Sequence, residues 1–163
     1  MKIVVSDSSI LISLSRIGKL YLIHKIFPEG IFIPAEVWKE VVESGQGRPG
    51  AIQVQEAEWI KVKKIKNHKL SHLLKMDLDN GEAEAITLAN EIDADLILID
   101  ERDARRVAKQ LDLKVLGTVG LLIFAKQTGH MPSLKKVLDE LVNQAGFRIS
   151  KSVYNKALKS VDE

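Results

Sequence analysis

Short aliphatic runs alternate with stretches of helical periodicity along most of this chain, and that alternation constrains its fold more than any other feature. Met1–Ser6 (MKIVVS), Ile31–Ile33, Trp59–Ile65, Leu96–Ile99 and Val115–Leu116 read as strands. The helices expected between them are Ile10–Ile17, Lys19–Phe27, a helix from Pro34 to about Glu43, Asp79–Ile92, Arg102–Leu111 and Val119–Gln127. Two more, started by Pro132-Ser133 and capped by Ser150, run through Val142 and Leu158. Parallel strands cannot be joined by a tight turn and need a crossover, usually a helix. The pattern therefore predicts an α/β fold, a three-layer α/β/α arrangement with a mostly parallel central sheet. Local punctuation agrees. Asp7-Ser8-Ser9 caps a helix that Gly18 stops, Pro34 is preset for a first helical turn, and Gly45–Gly50 is a turn-rich loop. The alternation of lysine and apolar residues over Trp59–Ile65 marks a guarded edge strand. One domain over residues 1–163 is expected, with a core of 1–127 and C-terminal helices in 128–163.

Charge and cysteine content narrow the classes of function. With 24 basic and 22 acidic residues the net charge is only +2, so any affinity for a polyanion must come from a local patch. The strongest local bias is Lys61–Lys75, with six lysines and two histidines. It reads as a solvated edge and loop, or as an electrostatic footing for a phosphate backbone. There is no cysteine, which excludes disulfides and thiolate metal sites and fits a cytoplasmic setting. No apolar run approaches the length of a membrane span. Lys19–Phe27 and the helices after Gly117 carry more apolar side chains than one small sheet covers, so a homodimer is expected.

The acids fall where such a sheet binds ligands, beyond the carboxyl ends of its strands. Asp7 directly follows the first strand and Asp100 directly follows Leu96–Ile99. One acid in that place is readily a helix cap; two strands ending the same way point to a shared site. Asp79-Asn80-Gly81-Glu82 has capping-box spacing, in which the second acid bonds back to the cap. Glu82 also precedes Ala85, Ile86 and Ala89 at helical spacing, which places it on the packed face, whereas Glu84 falls in line with Thr87 and Glu91. That helix leads into the Leu96 strand, so its first turn lies at the strand's carboxyl end, towards Asp7 and Asp100. After Pro34, a rotation of about 100° per residue centres the buried stripe on Val37, Trp38, Val41 and Val42. Glu36 and Glu43 fall nearly opposite it, and Glu40 borders it.

Asp103 is either a fifth acid at the same rim or a first-turn acid favoured by the helix dipole. Ser6, Ser8, Ser9 and Thr118 are hydroxyls near this edge, suited to bonding carboxylates or phosphate and also to capping; Ser8 and Thr118 are the substrate-binding candidates. Carboxylates gathered from separate segments repel one another unless a cation joins them. They suit magnesium or manganese rather than zinc. Such ions lower the pKa of a water and steady a leaving oxygen, the chemistry of phosphodiester cleavage.

In order and spacing these segments resemble the PIN-domain family, in a small branch seen mostly in prokaryotes. The resemblance rests on VVSDSS with Asp7, PAEVWKEVV with Glu40, DNGEAEAITLA with Glu82, LILIDERDARRVA with Asp100, and GTVGLLIFAK after the last strand. It covers nearly the whole chain. It implies a PIN-like fold and a metal-dependent endoribonuclease, often the toxin of a toxin–antitoxin pair. Asp7, Glu40, Glu82 and Asp100 match the family's catalytic, metal-holding quartet, with Mg²⁺ or Mn²⁺ as cofactor and Asp103 as an added metal candidate. The partners implied are single-stranded RNA, a small antitoxin protein and a second copy of the chain. Leu98 stands where the family often carries Thr or Ser, and Glu82 where many relatives have aspartate. Two other classes compete. One is an RNA-binding or partner-regulating module of the same fold without turnover. The other, a phosphatase with Asp7 as phosphate acceptor, lacks its second aspartate, because Ser9 occupies that position. No G-x-G-x-x-G or Walker loop is present.

Overall fold

Each short aliphatic run forms a strand in the computed structural model, which describes residues 2–163: β1 (Val4–Ser6), β2 (Ile31–Ile33), β3 (Ile60–Val62), β4 (Leu96–Leu98) and β5 (Val115–Leu116). Met1, where the first strand is expected to begin, lies outside the described residues. All pairings are parallel, in the order β3-β2-β1-β4-β5, so the mostly parallel sheet is wholly parallel. The helices are α1 (Ser8–Arg16), α2 (Tyr21–Ile26), α3 (Ala35–Trp38), α4 (Ala51–Glu56), α5 (His68–Leu74), α6 (Asn80–Glu91), α7 (Arg102–Gln110), α8 (Thr118–Gln127), α9 (Leu134–Gln144) and α10 (Lys151–Ser160). A π-helical turn, Lys39–Glu43, continues α3.

Both faces of the sheet are covered, which is why its strands read as unbroken aliphatic runs. Val4 and Leu98 point into a core shared with α1, α2, α8 and α9. Val5, Ile97 and Ile99 point into a second core with α6 and α7. The edge reading of β3 agrees with its place at one end of the sheet, where Ile60 is buried and Lys61 and Val62 are exposed.

Two helices lie outside the sequence expectations. α4 begins after Gly50, whose φ is 102°, and buries only Ala51 and Val54. α5 is capped by Asn67, which accepts from Leu70 N at 3.1 Å, and buries only Ser71. Six or seven residues are too few to establish a period, and these bury little. The apolar surplus of Lys19–Phe27 is largely absorbed by the chain itself. Leu20, Leu22, Ile23 and Phe27 are buried and α2 packs on α8, leaving Tyr21 and Phe124 47% and 45% exposed. The C-terminal Glu163 caps α9, accepting from Leu134 N at 2.6 Å and Ser133 Oγ at 2.9 Å. Among the described residues no helix is long and apolar enough to cross a membrane.

Candidate active site

The strand order creates a switch point. From β1 the chain builds β2 and β3 on one side, then returns through α6 to lay β4 on the other side of β1. Parallel sheets bind ligands in the crevice outside the carboxyl ends at such a reversal. β1 and β4 pair Ser6 with Leu98, and Asp7 N donates to Leu98 O at 3.0 Å. The register thus carries Asp7 and Asp100 to the same mouth.

Asp7 is 1% exposed. Its Oδ1 caps α1, accepting from Ile10 N at 3.4 Å, while the buried Oδ2 has no partner among the described residues. Burial first, then the charge of Asp100, push its carboxyl from an ordinary 3.8 up to about 8. Asp100 is held from the start of α8, where Thr118 N donates at 2.8 Å and Thr118 Oγ1 at 2.6 Å. Gly117 makes this possible, because a Cβ there would stand 2.8 Å from Asp100 Oδ1 and 2.6 Å from Arg105 Nη1.

Glu40 projects from the π-helical turn, receives the Ser8 hydroxyl, and lies against the N-terminus of α6, where Gly81 N–H also bonds it. Partial burial raises its pKa against those two hydrogen bonds. Glu82 opens α6, and Asp79 Oδ1 accepts from Glu82 N at 2.8 Å. Burial, then the Asp79 carboxyl beside it, push Glu82 up to about 8.

The profile of a family described as a PIN domain matches residues 3–163. The chain belongs to the PIN-domain family. PIN domains are generally nucleases that typically use divalent metals and act on RNA. No curated protein and no solved structure matches the chain significantly.

In this PIN domain Asp7 links the four expected acids: the charges of Asp100 and Glu40 act on it, and its own acts on Glu82. Asp103 lines a groove together with Asp100. It is exposed on α7 and pairs with Arg106 at 3.4 Å. Of the two hydroxyls expected to meet substrate, Ser8 donates to Glu40 and Thr118 to Asp100, so each also orients an acid. Glu84, aligned by period with Glu91, is buried instead; its Oε1 accepts from Glu36 N at 3.3 Å and Lys75 Nζ lies 3.6 Å from Oε2.

Two acids escape the sequence reading as members of the cluster. Asp79 has the signature of a cap and nothing more, yet its charge bears on Asp7, Glu40 and Glu82. Glu101 caps α7 and its charge reaches Glu82. The available signal is their position: each caps a helix whose first turn lies at the carboxyl end of the sheet.

Among the described residues no three acidic or histidine side chains converge into a ready-made metal cage. None of the quartet forms an ion pair among those residues either. The all-oxygen donor set and the orphaned, buried Asp7 Oδ2 fit a hard cation that keeps much of its water, as Mg²⁺ does.

Proposed function

We propose that this PIN domain is an endoribonuclease dependent on Mg²⁺ or Mn²⁺, cutting single-stranded RNA with Asp7, Glu40, Glu82 and Asp100 as its working acids. The observation that carries the reading is Asp7 Oδ2, buried and unpartnered at the switch point beside three further carboxylates. An unpaired buried carboxylate is costly unless something positive meets it. When bound, the ion supplies an activated water and a counter-charge for the phosphate oxygens. Asp7 and Asp100 offer it oxygens from neighbouring strand ends. Thr118 fixes the orientation of Asp100, and Ser8 with Gly81 fixes that of Glu40. A single strand bends into so shallow a mouth more readily than a stiff duplex does.

The reading extends to the toxin of a toxin–antitoxin pair, restrained by a small antitoxin that places a basic residue among the acids. The exposed Tyr21 and Phe124 on packed helices α2 and α8 support a homodimer. The absence of a ready-made cage among the described residues favours a second reading, an RNA-binding module without turnover.

A time course on labelled single-stranded RNA with Mg²⁺, with Mn²⁺ and with chelator tests the proposal. Asp100→Asn and Glu40→Gln should each lose on the order of a hundredfold or more in rate, because the near-isosteric amide lacks the charge that holds the cation. Glu43→Gln, exposed at the end of the π-helical turn, should cleave at about the wild-type rate. Cleavage that survives chelator, or equals wild type in Asp100→Asn, would sink the assignment. Metal binding with no cleavage would favour the binding module.

A further inference from the structure

A groove of about 1010 Å³ runs from Asp100 along the outer face of α7. Asp100, Glu101 and Asp103 line its acidic side, and Arg102, Arg105, Arg106 and Lys109 line the rest at the i, i+3, i+4, i+7 spacing that puts four side chains on one face of a helix. The opposite face carries Ala104 and Ala108, both 0% exposed, which seat α7 on the second core. Three residues of the basic stripe, Arg102, Arg106 and Lys109, are exposed. Arg105 is half-buried and donates to Ile99 O at 3.3 Å, tying the stripe to the strand end that precedes Asp100.

The lysine-rich segment lies differently. Lys66 N donates to Glu91 Oε1 at 2.7 Å, and Asn67 N bonds the same oxygen. Glu91 is the last residue of α6, whereas Glu82 is in its first turn. At 1.5 Å per residue those ends lie roughly 13 Å apart along the axis, so Lys66 is tied to the far end of α6 from the acids. Lys75 lies nearer them but pairs with Glu84 at 3.6 Å, and Lys61, Lys63 and Lys64 lie on or just after edge strand β3, separated from β1 by β2.

We infer that the basic stripe of α7, and not the lysine run, binds the phosphates of the RNA strand on one side of the scissile bond. The inference rests on the nuclease reading for the identity of the strand. A nine-residue helix is about 13 Å long, room for roughly three or four nucleotides at a stacked rise of 3.4 Å. Three of the four cations are arginines, whose planar forks match phosphate oxygens in pairs. The acidic end of the groove then takes the bond to be cut and the basic end the phosphates that follow it. Asp103, paired with Arg106, occupies the place a phosphate would take and yields when the strand arrives.

The test compares Arg102→Gln/Arg106→Gln/Lys109→Gln with a control, Lys61→Gln/Lys63→Gln/Lys64→Gln. Both sets are exposed, and circular dichroism checks that each protein is folded. Binding of a fluorescent single-stranded RNA is measured with Ca²⁺ replacing Mg²⁺, across a salt titration. The α7 triple should bind about tenfold or more weakly at low salt, with the log–log salt slope shallower by about 2, near 0.7 for each phosphate that is no longer neutralised. The lysine control should match wild type. An α7 triple with wild-type affinity and slope overturns the inference, as does equal weakening of both triples or wild-type protein that binds polyglutamate as tightly as RNA. Cleavage separates this outcome from the broader reading. Wild type that binds RNA through α7 but fails to cut it with either Mg²⁺ or Mn²⁺ sinks the nuclease and leaves the groove standing. Active protein whose α7 triple keeps the wild-type KM does the reverse.

Discussion

A Cβ on Gly81 would stand 2.5 Å from Glu40 Oε2 and 2.7 Å from Oε1, so the Glu40 carboxylate reaches α6 only because residue 81 has no side chain. The obstructed atoms are the far end of a flexible side chain, and Gly81 lies inside α6 without a positive φ. Alanine there gains up to about 1 kcal/mol of helix propensity while displacing the carboxylate. Gly81→Ala should therefore melt within a few degrees of wild type but lose on the order of a hundredfold in RNA cleavage. A thermal melt paired with a cleavage assay checks both halves, and wild-type activity would show that the seat of Glu40 on α6 is unimportant. In the sequence, Gly81 is the third member of a capping box. That it clears space for a residue forty-one positions earlier is a fact of close approach, invisible to any local pattern.

α6 shows where periodicity stops being informative. Gly81 and every residue from Ala83 to Ala89 are buried, and Thr87 donates to Ala83 O at 2.8 Å, so neither side of the helix's centre faces water. Packed by α3, α5, α7 and the sheet, it has no polar stripe by which a helical wheel can be oriented. Glu82, half-buried in the first turn, feels the charge of Asp7, and its place in that turn brings this about whatever the wheel says. Glu84 departs from its period for the same lack of a polar face. Glu84→Ala leaves Glu36 N without its acceptor and Lys75 without its partner, and should cost about 1–3 kcal/mol in a denaturant titration. Glu84→Gln keeps an acceptor and should cost less; equal losses would mean that the hydrogen bond contributes little. The π-helical turn has a similar effect on Glu40. Its Ser44 N donates to Lys39 O at 2.7 Å, five residues back, so a rotation of about 100° per residue does not hold through the segment that aims the side chain.

At the scale of the whole molecule, the crevice links stability to pH and metal. Asp7 and Glu82 are pushed from ordinary values of 3.8 and 4.5 up to about 8, so between those limits the folded state binds more protons than the unfolded chain. Folding stability without metal should then fall as pH rises from about 4 to about 8, and level off above. Asp139 and Glu163, held below their ordinary values by hydrogen bonds from Lys135 and from Leu134 N, act oppositely and lose their contribution as pH falls into the acid range. Melting temperatures read in chelator across pH 4 to 9 should show the decline, Mg²⁺ should restore stability at the alkaline end, and Asp7→Asn should flatten both effects. Metal-free stability that climbs steadily to pH 8 would contradict this account of the crevice. By itself the sequence determined the alternation of elements, the parallel sheet, the edge character of β3, and the placing of Asp7, Glu82 and Asp100 at carboxyl ends. Those features are written in residues a few positions apart. Tertiary structure alone decided that β4 lies against β1, pairing Val4 with Leu96 across ninety-two positions, and so made a switch point of two separate strand ends. It also decided that Ser8 and Thr118 serve carboxylates, that Asp79 joins the cluster while Asp103 turns to Arg106, and that the basic stripe of α7 opens onto Asp100. Strand order and side-chain neighbours come from which distant surfaces bury each other best, and no local pattern carries that information.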